Sequence, residues 1–270
     1  MPETNPLLFE VEDGIATLTL NRPHEGNALT PPLIEALEKA WNRVETDPEI
    51  RVVIIKGAGD RHFCTGASVS ALRDSGEGAL LSNKPHRWAN RFSPRQCDVW
   101  KPVIAVVTGL AASGGLHFVV DADIVIASDN AAFMDSHVSV GAVGALENIG
   151  LAKRMTLGGA LMLTLLGKSY RMPAARAHQL GLVDVLEPTK AEAEARADEF
   201  ARIMLGNSPQ AMALSKRAIW SSLEAGYGAS LDMGYELLKS QWRHPDFIEG
   251  PKAFLEKRKP EWDPDPDARN

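Results

Sequence analysis

Residues 103–120 read VIAVVTGLAASGGLHFVV, and this stretch decides the fold class. Its length of 18 residues approaches that of a membrane span. It contains several polar side chains and three glycines, however, and an aspartate, Asp121, follows directly, which disfavours a helix in lipid. The stretch instead predicts a buried strand over 103–107, a glycine turn, and a helix over 114–120.

The sequence before and after this stretch repeats the same pattern. Residues 15–20 alternate apolar with small polar residues, which is typical of a half-buried strand, and the β-branched run 51–55 predicts a strand covered on both faces. Between them, apolar residues at helical spacing predict a helix over 31–44. A further buried strand is predicted at 124–126. Repeated β–α units of this kind predict an α/β fold with mostly parallel sheets.

Beyond about residue 150 the pattern becomes helical. The one strand predicted there covers 182–186. The predicted helices cover 158–166, 173–180, 190–205, 209–223 and 231–242. We therefore expect an α/β core over residues 1–190 and a C-terminal helical region over 191–270.

Composition excludes several classes of protein. Apolar residues make up 44% and charged residues 24% of the 270 residues, as in ordinary globular proteins. The 29 Lys and Arg against 35 Asp and Glu give a net charge of −6, which leaves no basic surface for nucleic acid. Two cysteines, Cys64 and Cys97, are too few for a disulfide framework, and the first residues lack a secretory signal. We expect a soluble cytoplasmic protein with neither nucleic-acid nor membrane partners.

Two glycine turns are the strongest candidates for chemistry. Residues 63–68 (FCTGAS) follow one predicted strand and residues 108–115 (TGLAASGG) follow the next, and each leads toward a helix. Helix N-termini present unpaired N–H groups, and two of them converging on one oxygen stabilise a developing oxyanion. The alternative is that the glycines only permit tight turns. Neither turn matches a nucleotide-binding fingerprint.

Together with other segments, the two turns resemble the crotonase (enoyl-CoA hydratase/isomerase) superfamily. The match is collinear from about residue 8 to 262. Its further segments are 18–23 (LTLNRP), 27–29 (NAL), 121–127 (DADIVIA), 176–183 (RAHQLGLV) and 249–260 (EGPKAFLEKRKP). The resemblance implies a crotonase-like ββα spiral core with a C-terminal helical region that serves oligomerisation and closes the acyl-CoA pocket. It also implies assembly as trimers or as dimers of trimers.

The resemblance further implies an acyl-CoA thioester substrate, with coenzyme A as part of the substrate and no separate cofactor. The thioester oxygen would lie between the backbone N–H groups of Ala67 and Gly114, which would stabilise an enolate. The positions expected along the substrate are Ala28, Ala67, Ser68, Val69, Phe254 and Lys257, the last two from a neighbouring subunit. Ser68 stands where the family usually has aspartate.

This sequence departs from the hydratase pattern at its acid–base positions. Family hydratases use two glutamates there, whereas the matching positions here are His117 and His137. Imidazole transfers protons near neutral pH, so both histidines are candidate catalytic residues. Glu147 is either an orienting acid for them or a first-turn acid of the next helix. Asp121 shares a helix face with His117, but we favour a local capping or ion-pair role for it.

Several reactions remain open on these residues. Enoyl-CoA hydration is favoured, and hydrolytic C–C cleavage of a β-diketone or cyclic β-keto-acyl-CoA is the first alternative. A less favoured reading is a Clp-like serine hydrolase using Ser113 and His137, with Asp135 or Asp184 as the third acid. The last alternative is a binding role without catalysis. No set of His, Cys or Asp has the spacing of a zinc or iron site, so no metal is expected.

Overall fold

The computed structural model describes residues 5–67 and 91–265, and within them ten strands form two sheets. In chain order the strands are β1 (Leu7–Glu12), β2 (Ile15–Leu20), β3 (Val52–Gly57), β4 (His62–Cys64), β5 (Val103–Val107), β6 (Leu110–Ala112), β7 (Ile124–Ser128), β8 (Ala132–Met134), β9 (Met172–Pro173) and β10 (Val185–Glu187). The larger sheet has the order β1-β2-β3-β5-β7-β10 and the smaller has the order β4-β6-β8-β9.

The chain alternates between the two sheets. β3, β5 and β7 are parallel neighbours in the larger sheet, and β4, β6 and β8, which follow each of them, are parallel neighbours in the smaller sheet. Only β1 with β2 and β8 with β9 pair antiparallel among the described strands. The short strands β4 and β6 are parallel neighbours, so the turns that follow them leave the smaller sheet at the same edge. These are the two glycine turns, which therefore lie close together.

Nine α-helices lie in the described part of the chain. They are α1 (Pro31–Thr46), α2 (Leu116–Asp121), α3 (Leu146–Arg154), α4 (Leu157–Leu166), α5 (Ala174–Gln179), α6 (Lys190–Leu205), α7 (Pro209–Ser221), α8 (Tyr227–Gln241) and α9 (Asp246–Glu256). α1 shows how the sequence sets such a helix. The Thr30 hydroxyl caps it by accepting the N–H of Leu33, prolines occupy its first turn, and the stripe from Leu33 to Val44 is buried.

Two apolar cores hold these layers together. The main core lies between the two sheets and the adjoining helices and contains the buried rings of Trp41, Phe63 and Phe133. On the other face of the larger sheet, alanines of α6 (Ala193, Ala197 and Ala201) pack against β-branched strand residues. Small alanine side chains let this helix approach the sheet closely, so α6 covers the strands of the core.

The α/β fold class predicted from the sequence is confirmed, with differences at element ends. The stretch 103–120 forms β5, β6 and α2, and no helix in residues 5–67 or 91–265 is long and apolar enough to cross a membrane. The predicted helix over 114–120 is wrong at its start, because a 3₁₀ turn over Ser113–Gly115 precedes α2. The predicted strand over 182–186 is shorter, since the chain joins β7 only from Val185.

Candidate active site

The two glycine turns lie side by side. A methyl group placed on Gly66 would lie 2.8 Å from the backbone nitrogen of Gly114, and one placed on Gly114 would lie 3.7 Å from the nitrogen of Ala67. Ala67 and Gly114 are both partly exposed, whereas most of the neighbouring turn residues are buried. The structure thus brings the backbones of Ala67 and Gly114 together at an accessible surface.

Glycine is required at two positions for this approach. Gly66 has a φ of +84°, a left-handed conformation that favours glycine. At Gly115, an added methyl group would lie 2.3 Å from the carbonyl oxygen of Cys64, which is too close for any side chain. Larger residues would force the two turns apart.

The segment around Ala28 runs beside the first turn. The N–H of Leu29 donates to the carbonyl oxygen of Gly66 at 2.8 Å, and Leu29 pairs with Ala67 as an isolated parallel bridge. Ala28 is buried next to this bridge. The structure therefore places Ala28 beside Ala67, and their predicted place along the substrate stays a prediction.

His117 is held in a fixed orientation on α2, one turn after Gly114. Its ring packs edge-on against Phe92, with ring centroids 5.2 Å apart. Nε2 of Gln96 lies 3.3 Å from His117 Nδ1, and Oε1 of Gln96 accepts the N–H groups of Phe92 and Ser93. Because the Gln96 oxygen is engaged there, its nitrogen must donate to His117, so Nδ1 of His117 is an acceptor and its proton lies on Nε2.

Burial makes His117 a neutral group. Loss of hydration, aided by the nearby charge of His137, lowers the pKa of His117 to about 4. At neutral pH His117 therefore presents an uncharged Nε2–H. This atom lies 3.5 Å from Oε2 of Glu147. Such a ring donates a hydrogen bond well but is a poor proton acceptor.

His137 has the opposite character. It begins a 3₁₀ turn over His137–Val140 after β8, and its Nδ1 lies 2.6 Å from Oδ1 of Asp135. This hydrogen bond raises the pKa of His137 above its ordinary value, and the charge of Glu147 adds to the effect. With the Nδ1 proton donated to Asp135, the lone pair on Nε2 remains available as a base.

Asp135 is itself fixed by a second donor. Nδ2 of Asn148 donates to its Oδ2 at 2.8 Å, and the backbone N–H of His137 donates to Oδ1 at 3.2 Å. Burial alone would raise the pKa of Asp135, but these hydrogen bonds lower it. The group is therefore an anion that orients His137.

Glu147 lies between the two histidines. It is in the first turn of α3, and it is buried, with Oε1 3.1 Å from Nδ1 of His137. Burial raises the pKa of Glu147. Glu147 is therefore a first-turn acid of α3 that also contacts both histidines.

A family model supplies the assignment that this geometry suggests. The model described as enoyl-CoA hydratase/isomerase matches residues 10–265. The chain belongs to the enoyl-CoA hydratase/isomerase family.

Individual relatives agree with the family assignment. A short-chain-enoyl-CoA hydratase of Clostridium acetobutylicum is 31% identical over 263 residues, which cover 95% of this chain and 97% of the relative. An (E)-benzylidenesuccinyl-CoA hydratase of Thauera aromatica is 32% identical over 262 residues, covering 94% and 98%. The crystal structure of an enoyl-CoA hydratase/isomerase from Mycobacterium paratuberculosis has a TM-score of 0.85 at 33% identity, covering 96% of this chain and 99% of that one.

The site residues predicted from the sequence fall into three groups according to their position in the structure. His117, His137 and Glu147 lie in one cluster, and Ala28, Ala67 and Gly114 lie together at the turns. Phe254 and Lys257 are exposed at the end of α9, with Phe254 83% exposed, and their predicted role toward a neighbouring subunit stays a prediction. Ser68 and Val69 lie outside the described residues.

The sequence analysis did not identify Gln96 or Asp135 as hydrogen-bond partners of the two histidines. Gln96 lies 21 residues before His117 in a segment without a motif, so no sequence signal marks it. Asp135 was considered only as the acid of a serine hydrolase. Its spacing of two from His137 is the signal that could have identified it, since a turn after a strand lets such a pair hydrogen-bond.

The serine-hydrolase arrangement is not what the described residues form. The hydroxyl groups of Ser113 and Ser136 lie 2.7 Å apart, and Ser113 Oγ also accepts the N–H of Ser136. No hydrogen bond between Ser113 and His137 occurs in the part of the chain that the structure describes. The Ser113–Ser136 pair instead ties the turn that carries Gly114 to the turn that carries His137.

The sequence also predicted a role for Asp121 and the absence of a metal site. The Asp121 carboxylate accepts the hydroxyl of Ser93, 28 residues earlier in the chain, rather than forming the local cap or ion pair favoured from the sequence. No metal was expected, yet one ligand atom each from Asp135, His137 and Glu147 lie within 4.8 Å of one another, a spacing that can hold a cation. The 2.6 Å hydrogen bond between Asp135 and His137 accounts for the closest of these contacts without an ion.

Proposed function

We propose that this enzyme adds water to a 2-enoyl-CoA thioester, with an oxyanion hole formed by the N–H groups of Ala67 and Gly114 and with His137 as the base. The observation that carries the proposal is the Asp135–His137 pair, which is joined to the Gly114 turn through the Ser113–Ser136 hydrogen bond. The names of the two relatives, both hydratases of CoA thioesters, support the same reaction class.

The first step forms the bond between water and the substrate. Nε2 of His137 takes a proton from water while the water oxygen attacks Cβ of the enoyl group. The π electrons move to the thioester oxygen, and the Ala67 and Gly114 N–H groups stabilise the charge that develops there. Each such donor contributes about 10²- to 10³-fold in rate in other enzymes that stabilise an oxyanion.

The second step returns the proton. The His137 imidazolium, stabilised by the carboxylates of Asp135 and Glu147, protonates Cα as the enolate collapses to the thioester. One water has then been added across the double bond, and His137 is again neutral. The raised pKa of His137 suits both halves of this cycle, because the group must accept and release one proton.

His117 has a different role in this proposal. As a neutral Nε2–H donor, it cannot give up its proton without forming an imidazolate, so it is not the acid that protonates Cα. It instead donates a hydrogen bond that positions the attacking water or the Glu147 carboxylate. The pair of histidines therefore divides into one base and one donor.

The test is hydration of crotonyl-CoA, followed by loss of the absorbance of the conjugated thioester. We expect turnover of the thioester, and no turnover of free crotonic acid, which lacks the coenzyme A and the activated carbonyl. Absence of turnover with crotonyl-CoA and with longer 2-enoyl-CoA thioesters, together with no binding in calorimetry at millimolar concentration, would overturn the proposal.

Hydrolytic C–C cleavage of a β-diketone or cyclic β-keto-acyl-CoA is the second candidate. The base at His137, held by two acids, favours it, because water must be activated to attack a ketone carbonyl. The carbon–carbon bond then breaks, the attacked carbonyl becomes a carboxylic acid, and the enolate, held by the same pair of amides, takes back the proton from His137 at carbon. Consumption of a cyclic β-diketone without any hydration of crotonyl-CoA would select this reaction.

We also propose that the enzyme works as a trimer or a dimer of trimers. α4 exposes several leucines to solvent in the single chain, among them Leu157 at 65% and Leu165 at 67%. Exposed apolar side chains so close together are typical of a subunit interface. Light scattering after size-exclusion chromatography would decide between the two states, and a monomer would contradict both.

A further inference from the structure

A cavity of about 470 Å³ opens beside His117. The described residues that define its character are Arg95, Gln96, Trp100, His117, Leu146 and Arg217. His117 lines the cavity, and Leu146 immediately precedes Glu147 in the chain, so the cavity adjoins the histidine cluster. Its lining includes two guanidinium groups, those of Arg95 and Arg217, which is unusual for a space that would receive only a hydrocarbon chain.

The two guanidinium groups are held by aromatic rings. Cζ of Arg95 lies 4.7 Å from the ring centre of Trp100 and 5.1 Å from that of Trp220, and Cζ of Arg217 lies 5.3 Å from the Trp100 ring. Stacking on a ring occupies the face of a guanidinium and leaves its edge N–H groups free to donate. Arg95 and Arg217 are therefore oriented in advance for a planar anion.

Three carboxylates, those of Asp98, Asp121 and Glu224, line the cavity together with the two guanidinium groups. Arg95 has Glu224 at 3.6 Å, but that carboxylate is 66% exposed, so the ion pair is weak. Within residues 5–67 and 91–265, no carboxylate lies within 4 Å of the Arg217 guanidinium. Asp121 accepts the hydroxyl of Ser93. Arg217 thus offers a positive charge without a partner of its own among the described residues.

We propose that this cavity binds a carboxylate at the far end of the substrate's acyl group, with Arg217 and Arg95 as the specificity-determining residues. The inference rests on the proposed function, because it takes the acyl group to enter the cavity past His117. Edge N–H groups of a guanidinium match the two oxygens of a carboxylate, so the preferred substrates are CoA thioesters of dicarboxylic acids.

The test compares two enoyl-CoA thioesters of equal chain length. Glutaconyl-CoA carries a terminal carboxylate where 2-pentenoyl-CoA carries a methyl group. We expect kcat/KM to be at least about tenfold higher for glutaconyl-CoA, as one charge-assisted hydrogen bond would give. Arg217→Met is expected to lower that value about 10- to 100-fold, mainly through KM, and to leave 2-pentenoyl-CoA unchanged within about twofold.

Controls separate this inference from a general defect. Arg171→Met, at an exposed arginine that does not line the cavity, is expected to leave both substrates unchanged, and Arg217→Lys to retain part of the preference. Equal use of both substrates by the wild-type enzyme, or an equal effect of Arg217→Met on both, would overturn the inference while the hydratase proposal stands.

A binding measurement distinguishes the two proposals when no turnover is seen. Glutaryl-CoA and pentanoyl-CoA are saturated and cannot be hydrated, so calorimetry reports their affinity alone. Tighter binding of glutaryl-CoA that Arg217→Met abolishes would support the carboxylate site without any reaction. Equal affinities would overturn the carboxylate site alone, and no binding of either thioester would overturn both proposals.

Discussion

Oδ1 of Asp135 lies 2.6 Å from Nδ1 of His137 and also accepts the backbone N–H of His137 at 3.2 Å. One carboxylate oxygen therefore fixes both the ring and the turn that carries it. The hydrogen bond places the His137 proton on Nδ1 and leaves Nε2 as the basic atom. The chemistry proposed above depends on this relationship, since the second histidine, His117, is neutral and donates.

Replacing His137, the proposed base, should remove most of the activity. For His137→Ala we expect kcat to fall about 10²- to 10⁴-fold, the usual contribution of a general base, with KM changed little. The measurement is steady-state hydration of crotonyl-CoA. His24→Ala is the matched control, because His24 is exposed in the turn over Pro23–Glu25, and it should keep full activity. Full activity of His137→Ala would mean that another group is the base.

The pH profile should report the Asp135–His137 pair. The base must be neutral, so kcat/KM rises as pH increases through the pKa of His137, which Asp135 raises. Asp135→Asn removes that charge and lowers the pKa, so the rise should move to lower pH while the plateau falls about 10²-fold.

The control for this profile is Asp129→Asn, at an exposed aspartate outside the cluster. It should leave both the position of the rise and the plateau unchanged. A rise that stays at the same pH in Asp135→Asn would show that a group other than His137 sets the profile.

Gln96 should set the tautomer of His117. Nitrogen NMR of the labelled wild-type protein is expected to show the His117 proton on Nε2, because Gln96 donates to Nδ1. Gln96→Glu offers an acceptor in place of that donor and should move the proton to Nδ1, with kcat lowered about five- to tenfold, as for one hydrogen bond. Unchanged nitrogen shifts in Gln96→Glu would contradict this role.

Asp121 should make stability depend on pH. Burial raises its pKa to about 6 from the usual 3.8, so the folded state favours the protonated acid. That stabilisation is complete below about pH 4 and is lost as pH rises through about 6. Asparagine does not ionise, so the Asp121→Asn variant does not lose this stabilisation. The difference in unfolding free energy, variant minus wild type, should therefore be about 1–2 kcal/mol larger at pH 7 than at pH 4, after allowance for the partial exposure of Asp121. Urea unfolding at both pH values measures this, and an equal difference at both would contradict it.

The larger features of this fold are visible in the sequence because they follow from burial. β5 is an unbroken apolar run and α1 has a clear apolar stripe, and both have the bounds expected within two residues at each end. β4, β6 and β8 are three residues each, too short for any alternation to be seen, and they form because parallel neighbours supply their hydrogen bonds.

Some features of the candidate site can likewise be predicted from the sequence, and others depend on tertiary packing. The two turns and both histidines stand out because their glycines and their family positions are local features of the sequence. The contacts of Gln96 with His117 and of Glu147 with His137 depend on tertiary packing, since β5 and β6 lie between the first two residues and the 3₁₀ turn over His137–Val140 separates the second two. The proposal that His137 rather than His117 is the base likewise rests on burial and hydrogen bonds, which depend on the tertiary structure.

The central claim is that two backbone N–H groups hold one thioester oxygen. A crystal structure of the enzyme with a bound acyl-CoA tests this most directly. We expect the thioester oxygen within about 3 Å of the nitrogens of both Ala67 and Gly114, with Nε2 of His137 facing Cβ. A thioester oxygen bound elsewhere, or an Ala67 or Gly114 nitrogen that donates to another group instead, would contradict the account.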